Sequence, residues 1–151
     1  MLIRPATPAD IPILITLATQ AETSAQWPYK QYERAILSSE PRRVALVLEE
    51  QSKIQGFLIA QAIDSEWELE NIVIASSMQR RGYGSELLNH FLDIIRREHA
   101  EAAFLEVRES NHAARGLYGK FAFEQIGRRA NYYTNPGEDA LTFRLKFRNL
   151  P

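Results

Sequence analysis

The sequence predicts an α/β fold in one domain: a central mixed, mostly antiparallel sheet of about seven strands flanked by four helices. Three observations carry this. Apolar residues recur at every second position or in short continuous runs in some segments, and every three or four positions in others. The segments follow the order strand, two helices, three strands, helix, strand, helix, two strands, which gives a mixed sheet with helices on its faces. The chain has 151 residues and no repeat, low-complexity tract or linker, so residues 1–151 form one unit. A composition of 45% hydrophobic and 25% charged residues supports a real core without staples.

Leu2 to Arg4 opens as a short strand. Thr7 or Asp10 caps a helix whose apolar positions are Ile11, Leu14, Ile15 and Leu17. Gln26-Trp27-Pro28 interrupts, and Tyr29 to Ser39 is a second helix stopped before Pro41. Arg43 to Glu49 is a strand; Ile54 to Ile63 and Glu66 to Ala75 form a hairpin turning at Asp64-Ser65. The third helix follows Gln79 and turns Leu87, Leu88, Phe91, Leu92 and Ile95 to one side. Ala103 to Arg108 is a strand and Asn111 to Phe121 the last helix. Phe123 to Tyr133 and Ala140 to Phe147 are the final strands, separated by a turn at Asn135-Pro136-Gly137.

A net charge of −1 provides no bulk field for nucleic acid or an anionic membrane, and no basic face is interleaved with aromatics. The absence of cysteine excludes a disulfide framework, a thiolate metal site and a cysteine nucleophile. His90, His99 and His112 lack ligand spacing, so no metal is expected. The start Met1-Leu2-Ile3-Arg4-Pro5 has no signal-peptide pattern, and no apolar run spans a bilayer. The expectation is a cytoplasmic monomer.

The chemistry concentrates around Arg80-Arg81-Gly82-Tyr83-Gly84. A helix start carries unpaired N–H groups and the positive end of the dipole; glycine admits close approach, and two arginines add charge. Such a place suits a phosphate or pyrophosphate, or it is a solvated basic turn before a core helix. It is not a mononucleotide P-loop, and the third glycine of a dinucleotide fingerprint falls on Leu87. In the preceding strand Trp67 and Leu69 alternate with Glu66, Glu68 and Glu70, and the apolar set resumes one residue out of phase at Ile72 and Ile74. That slip marks a β-bulge near Glu70-Asn71, or a strand buried on both faces. The three glutamates form an acidic track or a wet face. Trp27-Pro28-Tyr29 packs the corner between two helices or lips a site.

Gln79-x-x-Gly82-x-Gly84, after a strand and opening a helix, resembles the acetyl-coenzyme A loop of the GNAT N-acetyltransferases, and the element order matches the GNAT fold along nearly the whole chain. "FLEVRESNHAARGLYGKFAF", "RRANYY" and "EDALTF" are similar to the bacterial acetyltransferases of ribosomal-protein N-terminal alanine. The resemblance implies acetyl-CoA as co-substrate, held by the backbone of Ile72, Val73 and Ile74, by Arg80, Arg81, Gly82, Tyr83, Gly84 and Ser85, and by Asn111. It implies Glu106 as proton acceptor and Tyr118 as proton donor, and places Trp27 near the acceptor, the N-terminus of a ribosomal protein; Glu70, Arg129, Asn131, Tyr132 and Tyr133 are the further candidates to line that side. The chain departs at Ala122, where glycine is usual, and at Ala75-Ser76, where Asp-Pro is frequent.

These residue types fit acetyl transfer to an amine. A peptide α-amine titrates near 8 and lysine near 10.4, so a modest carboxylate can take the proton of an N-terminus. Glu106 lies mid-strand between Leu105 and Val107, and Glu70 is the competing base. A developing oxyanion falls to the N–H of Val73 or Ile74. Tyr118 also fits the apolar stripe of Ala114, Leu117 and Phe121. Two adjacent tyrosines on a strand point to opposite faces, so one of Tyr132 and Tyr133 is expected on the acceptor side.

Overall fold

The computed structural model describes residues 1–21 and 24–147. Strand β1 (Leu2–Pro5) precedes helix α1 (Ile11–Gln20) and helix α2 (Tyr29–Leu37). Strands β2 (Arg43–Glu50), β3 (Lys53–Ile63) and β4 (Glu66–Ile74) follow, then helix α3 (Tyr83–Arg97), strand β5 (Ala102–Arg108), helix α4 (His112–Lys120) and strands β6 (Glu124–Tyr133) and β7 (Glu138–Lys146). One seven-stranded sheet runs in the order β1-β2-β3-β4-β5-β7-β6. Every neighbouring pair is antiparallel except β4 with β5. The expected elements are all present, with ends shifted by up to a few residues. The last strand begins at Glu138 rather than Ala140, directly after the Asn135-Pro136-Gly137 turn.

Local chemistry explains the boundaries. Thr7 and Asp10 form a capping box ahead of α1, with the Thr7 N–H donating to Asp10 Oδ2 at 2.8 Å. Arg4 donates to the same carboxylate at 2.8 and 3.1 Å, so it holds Asp10 well below the usual carboxylate range. Helix α2 stops at Leu37, with Ser38 already extended. Gln51 and Ser52 both take left-handed backbone and turn β2 into β3 within two residues. Helix α4 stops at the position where the sequence departs from glycine: Ala122 sits at φ 66°, a conformation that costs a non-glycine residue about 1 kcal/mol.

Two cores lie on the two faces of the sheet. On one face α3 buries Leu87, Leu88, Phe91, Leu92 and Ile95 against Leu58, Leu69, Leu105 and Leu141. On the other, α1 and α2 bury Leu14, Leu17 and Tyr32 against Val47, Phe57, Ile59 and Val73. This second core draws no residue from β5, β6 or β7, so α1 and α2 cover only half of that face. No helix among the described residues is long and apolar enough to cross a membrane.

The seam between β4 and β5 positions the site. Its pairing comprises Glu66 with Ala102, Trp67 with Ala103 and Glu68 with Phe104, and it stops there. Beyond that point Leu69 to Ile74 and Leu105 to Arg108 run on as two facing edges. A wedge therefore opens in the middle of the sheet, with α3 following one wall and α4 the other.

Candidate active site

The wall formed by β4 carries the bulge that the phase slip implies. Asn71 pairs with Ile59 and Leu69 with the next residue, Ala60, which leaves Glu70 as the extra residue. Past the bulge, Ile72 and Ile74 pack toward α3 and Val73 joins the opposite core. The Ala75 N–H donates to Gln55 O of β3 at 2.8 Å. Because successive backbone groups alternate along a strand, Val73 also turns its N–H and carbonyl toward β3. The N–H groups of Ile72 and Ile74 therefore face the wedge. Of the neighbouring residues Val73 and Ile74, Ile74 and not Val73 turns its N–H to the wedge. Gly56 on β3 makes this wall possible and is absent from the residues singled out by sequence. A Cβ there would lie 2.7 Å from Ile74 Cδ1 and 2.9 Å from Val73 O. A glycine midway along an apolar strand is the available signal.

Gly82 caps α3 at φ 81°, and Arg80 also has left-handed backbone. A Cβ added to Gly82 would meet nothing within 4 Å, so its conformation rather than crowding selects glycine. The first intrahelical bond runs from Glu86 N–H to Gly82 O at 3.0 Å, leaving the N–H groups of Tyr83, Gly84 and Ser85 without helical partners. Arg80 has no ion-pair partner among the described residues, whereas Arg81 interacts with Tyr83. The Tyr83 hydroxyl turns away to donate to Glu50 at 3.2 Å. Across the wedge, Asn111 caps α4, its side chain accepting from the Ala114 N–H at 3.1 Å.

Glu106 lies on the uncovered half-face of β5. One carboxylate oxygen, Oε1, is 3.3 Å from Arg129 Nε; the other, Oε2, is buried and has no hydrogen-bond partner. Tyr118 approaches from the helical face, buried against Phe123 and Phe143 at ring-centroid distances of 5.7 and 6.4 Å. Burial and the neighbouring Tyr133 push its phenol well above the ordinary value. Burial and the Glu106 carboxylate push Tyr133 up to about 12. Tyr133 therefore lies within electrostatic reach of both Glu106 and Tyr118. Glu70, the rival base, is pushed up by burial and pulled back by Arg43 at 3.4 Å.

The final hairpin corrects one expectation. Arg129 pairs with Ala140 and Tyr133 with Glu138, so three residues of β6 oppose Asp139 alone. Asn131 has left-handed backbone there, and its N–H donates to Asp139 Oδ1 at 2.9 Å. This irregularity breaks the alternation, so Tyr132 and Tyr133 lie together, edge to face at 5.1 Å, instead of on opposite faces. Arg129 stacks over Tyr132 at 5.3 Å and Arg108 over Tyr133 at 4.3 Å. Arg108 further donates to Pro136 O and Glu138 at 3.0 and 3.1 Å, and Glu138 accepts from Ser110 beside α4. In the acidic track Glu66 pairs with Arg144 and Glu70 with Arg43, while Glu68 accepts from the uncharged Gln61. Trp27 packs on Tyr32, with ring centroids 5.3 Å apart. No group of three or more metal-ligating side chains occurs among the described residues.

Residues 13–123 match the acetyltransferase (GNAT) family. The chain is 33% identical over 141 residues to the [ribosomal protein bS18]-alanine N-acetyltransferase of Salmonella typhimurium, covering 87% of this chain and 95% of that one. It is 37% identical over 100 residues to the Escherichia coli enzyme of the same name, covering 65% and 68% of the two chains. The crystal structure of the ribosomal-protein-S18-alanine N-acetyltransferase from Escherichia coli superposes with a TM-score of 0.88 at 29% identity, covering 99% of this chain and 96% of that one. With the wedge, the glycine-capped helix and these matches together, the chain belongs to the GNAT family and is an N-acetyltransferase.

Proposed function

We propose that this enzyme transfers an acetyl group from acetyl-CoA to the N-terminal α-amine of a protein, with the N-terminal alanine of a small-subunit ribosomal protein as its acceptor. The observation that carries the reading is the buried Oε2 of Glu106, a carboxylate oxygen without a partner at the rim of the wedge. An unsatisfied buried acceptor is costly, and an ammonium N–H is the donor that removes the cost.

The residues present fit acetyl-CoA. The N–H groups at the start of α3, the charge of Arg80 and the conformation of Gly82 suit its pyrophosphate. The wedge edge of β4 offers Ile72 and Ile74 to an extended amide-bearing arm. When bound, acetyl-CoA supplies the acetyl group as a thioester. Glu106 Oε2 takes a proton from the acceptor ammonium, directly or through water, and leaves a neutral amine. The N–H of Ile74 is the donor available to a developing negative oxygen. Tyr118 keeps its proton at neutral pH because burial opposes its ionisation, and would give that proton to the thiolate released when the acetyl C–S bond breaks. Tyr132, Tyr133 and Arg129 form an aromatic-walled approach to Glu106 that suits a small first residue.

The test is a competition between two peptides of one sequence, read by mass spectrometry. One has a free N-terminal alanine; the other is blocked at its N-terminus and carries an internal lysine. Acetylation of the free α-amine is expected. Preferential acetylation of the blocked peptide overturns the reading, and a panel of first residues then reports how far alanine is favoured.

A further inference from the structure

We infer that Arg129 reads the first carbonyl oxygen of the acceptor, so that the site recognises an α-amino acyl group as a unit rather than an amine alone. This rests on the N-terminal-amine reading above. Arg128 and Arg129 are neighbours in sequence, yet their surroundings differ. Arg128 donates to Glu109 twice at 2.8 Å and to Asp139 at 2.8 Å, and these carboxylates use its fork. Arg129 makes a looser contact, Nε to Glu106 Oε1 at 3.3 Å, and its side chain is 61% exposed. That contact occupies Oε1 and leaves Oε2, the buried oxygen, for the ammonium.

A guanidinium carries five donors in a rigid plane. With Nε turned to Glu106, the two terminal nitrogens of Arg129 remain for a substrate. In an α-amino acyl group, bonds of about 1.46, 1.52 and 1.23 Å separate the amine nitrogen from the carbonyl oxygen, which puts the two roughly 3 Å apart. An ammonium on Oε2 therefore brings its own carbonyl oxygen to the outer nitrogens of the arginine that holds Oε1. Base, arginine, carbonyl and ammonium close one ring of contacts. A lysine ε-ammonium has methylenes in that place and offers Arg129 no acceptor, and a simple alkylamine offers none either. Stacking on Tyr132 at 5.3 Å limits the directions the guanidinium can take.

The experiment crosses a substitution with a substrate change. Two alanine-initiated peptides are compared, one normal and one whose first amide is replaced by a trans-alkene isostere that lacks the carbonyl oxygen. For the unmodified enzyme, kcat/KM should favour the normal peptide by about 10- to 100-fold, the range for a hydrogen bond to a charged group. In Arg129→Gln the normal peptide should lose about that factor more than the alkene peptide does, bringing the ratio close to one. Acetyl-CoA affinity, measured by calorimetry, should not move. An Arg129→Gln enzyme that keeps the original ratio, or loses equally on both peptides, overturns the inference. Full activity of Glu106→Gln on the normal peptide overturns the base assignment beneath it, and is distinguished by leaving the Arg129 ratio intact.

Discussion

Glu106 and Glu70 show how little separates two candidate bases at the level of single residues. Both are glutamates on strands that bound the wedge, and both face an arginine, at 3.3 and 3.4 Å. Each also has one buried oxygen without a hydrogen bond, but in Glu70 it is the oxygen that faces Arg43, whereas in Glu106 it is the oxygen turned from Arg129. Glu106→Gln should slow the chemical step by about 10²–10⁴ in single-turnover experiments while leaving acetyl-CoA affinity unchanged. Glu70→Gln should do less, and a larger loss there would transfer the role to Glu70. Tyr118→Phe, by the same measurement, should slow turnover without unfolding the protein, because the ring contacts remain. The mid-strand carboxylate is legible in Leu105-Glu106-Val107-Arg108. Its contact with Arg129 is not, because a meeting of β5 and β6 side chains depends on a register that no local pattern encodes.

Elements differ in how far their irregularities can be read. The bulge in β4 is visible because that strand is buried, so a slip of one residue moves apolar side chains to the wrong phase. The irregularities of β6 are invisible. That strand is exposed almost throughout, so its sequence carries no inside-outside rhythm to be broken. The meeting of Tyr132 with Tyr133 escapes sequence reasoning for this reason. Helix α4 contains a different kind of weakness. Gly116 has helical backbone, and a Cβ there would meet nothing within 4 Å, so its glycine has no packing reason. Gly116→Ala should stabilise the protein by about 0.5–1 kcal/mol in urea unfolding. A loss of stability would mean that the helix is packed more tightly there than its open surroundings indicate.

Across the whole molecule, the acceptor side and the acetyl-CoA side are tied by one side chain. Arg108 leaves β5 two residues past Glu106, lies against Tyr133, and donates to Pro136 O and Glu138; Glu138 in turn accepts from Ser110, next to the Asn111 cap of α4. Arg108→Gln should raise KM for the peptide more than it lowers kcat. It should also cost about 1.5–3 kcal/mol, the scale of charge-assisted bonds, in thermal unfolding. A variant with unchanged peptide KM would reduce Arg108 to a structural brace. The order of elements is legible from periodicity alone. The wedge is not, because it is a failure of two strands to pair, and sequence patterns report pairing propensity rather than its interruption.

The seam has a further consequence for how the protein meets copies of itself. An unpaired strand edge invites a second chain to add a strand, and this sheet has more edges than an ordinary one: two outside and two within the wedge. The outer edges are blunted. Strand β1 is four residues long and ends on Pro5, while β6 is broken by register shifts and carries Arg128 and Arg129. The inner edges of β4 and β5 remain joined at Glu68 and Phe104, so a foreign strand can enter only from the open end and cannot lie flat along either. The protein thus keeps a long stretch of unsatisfied backbone for its own use without offering it as a template for stacking.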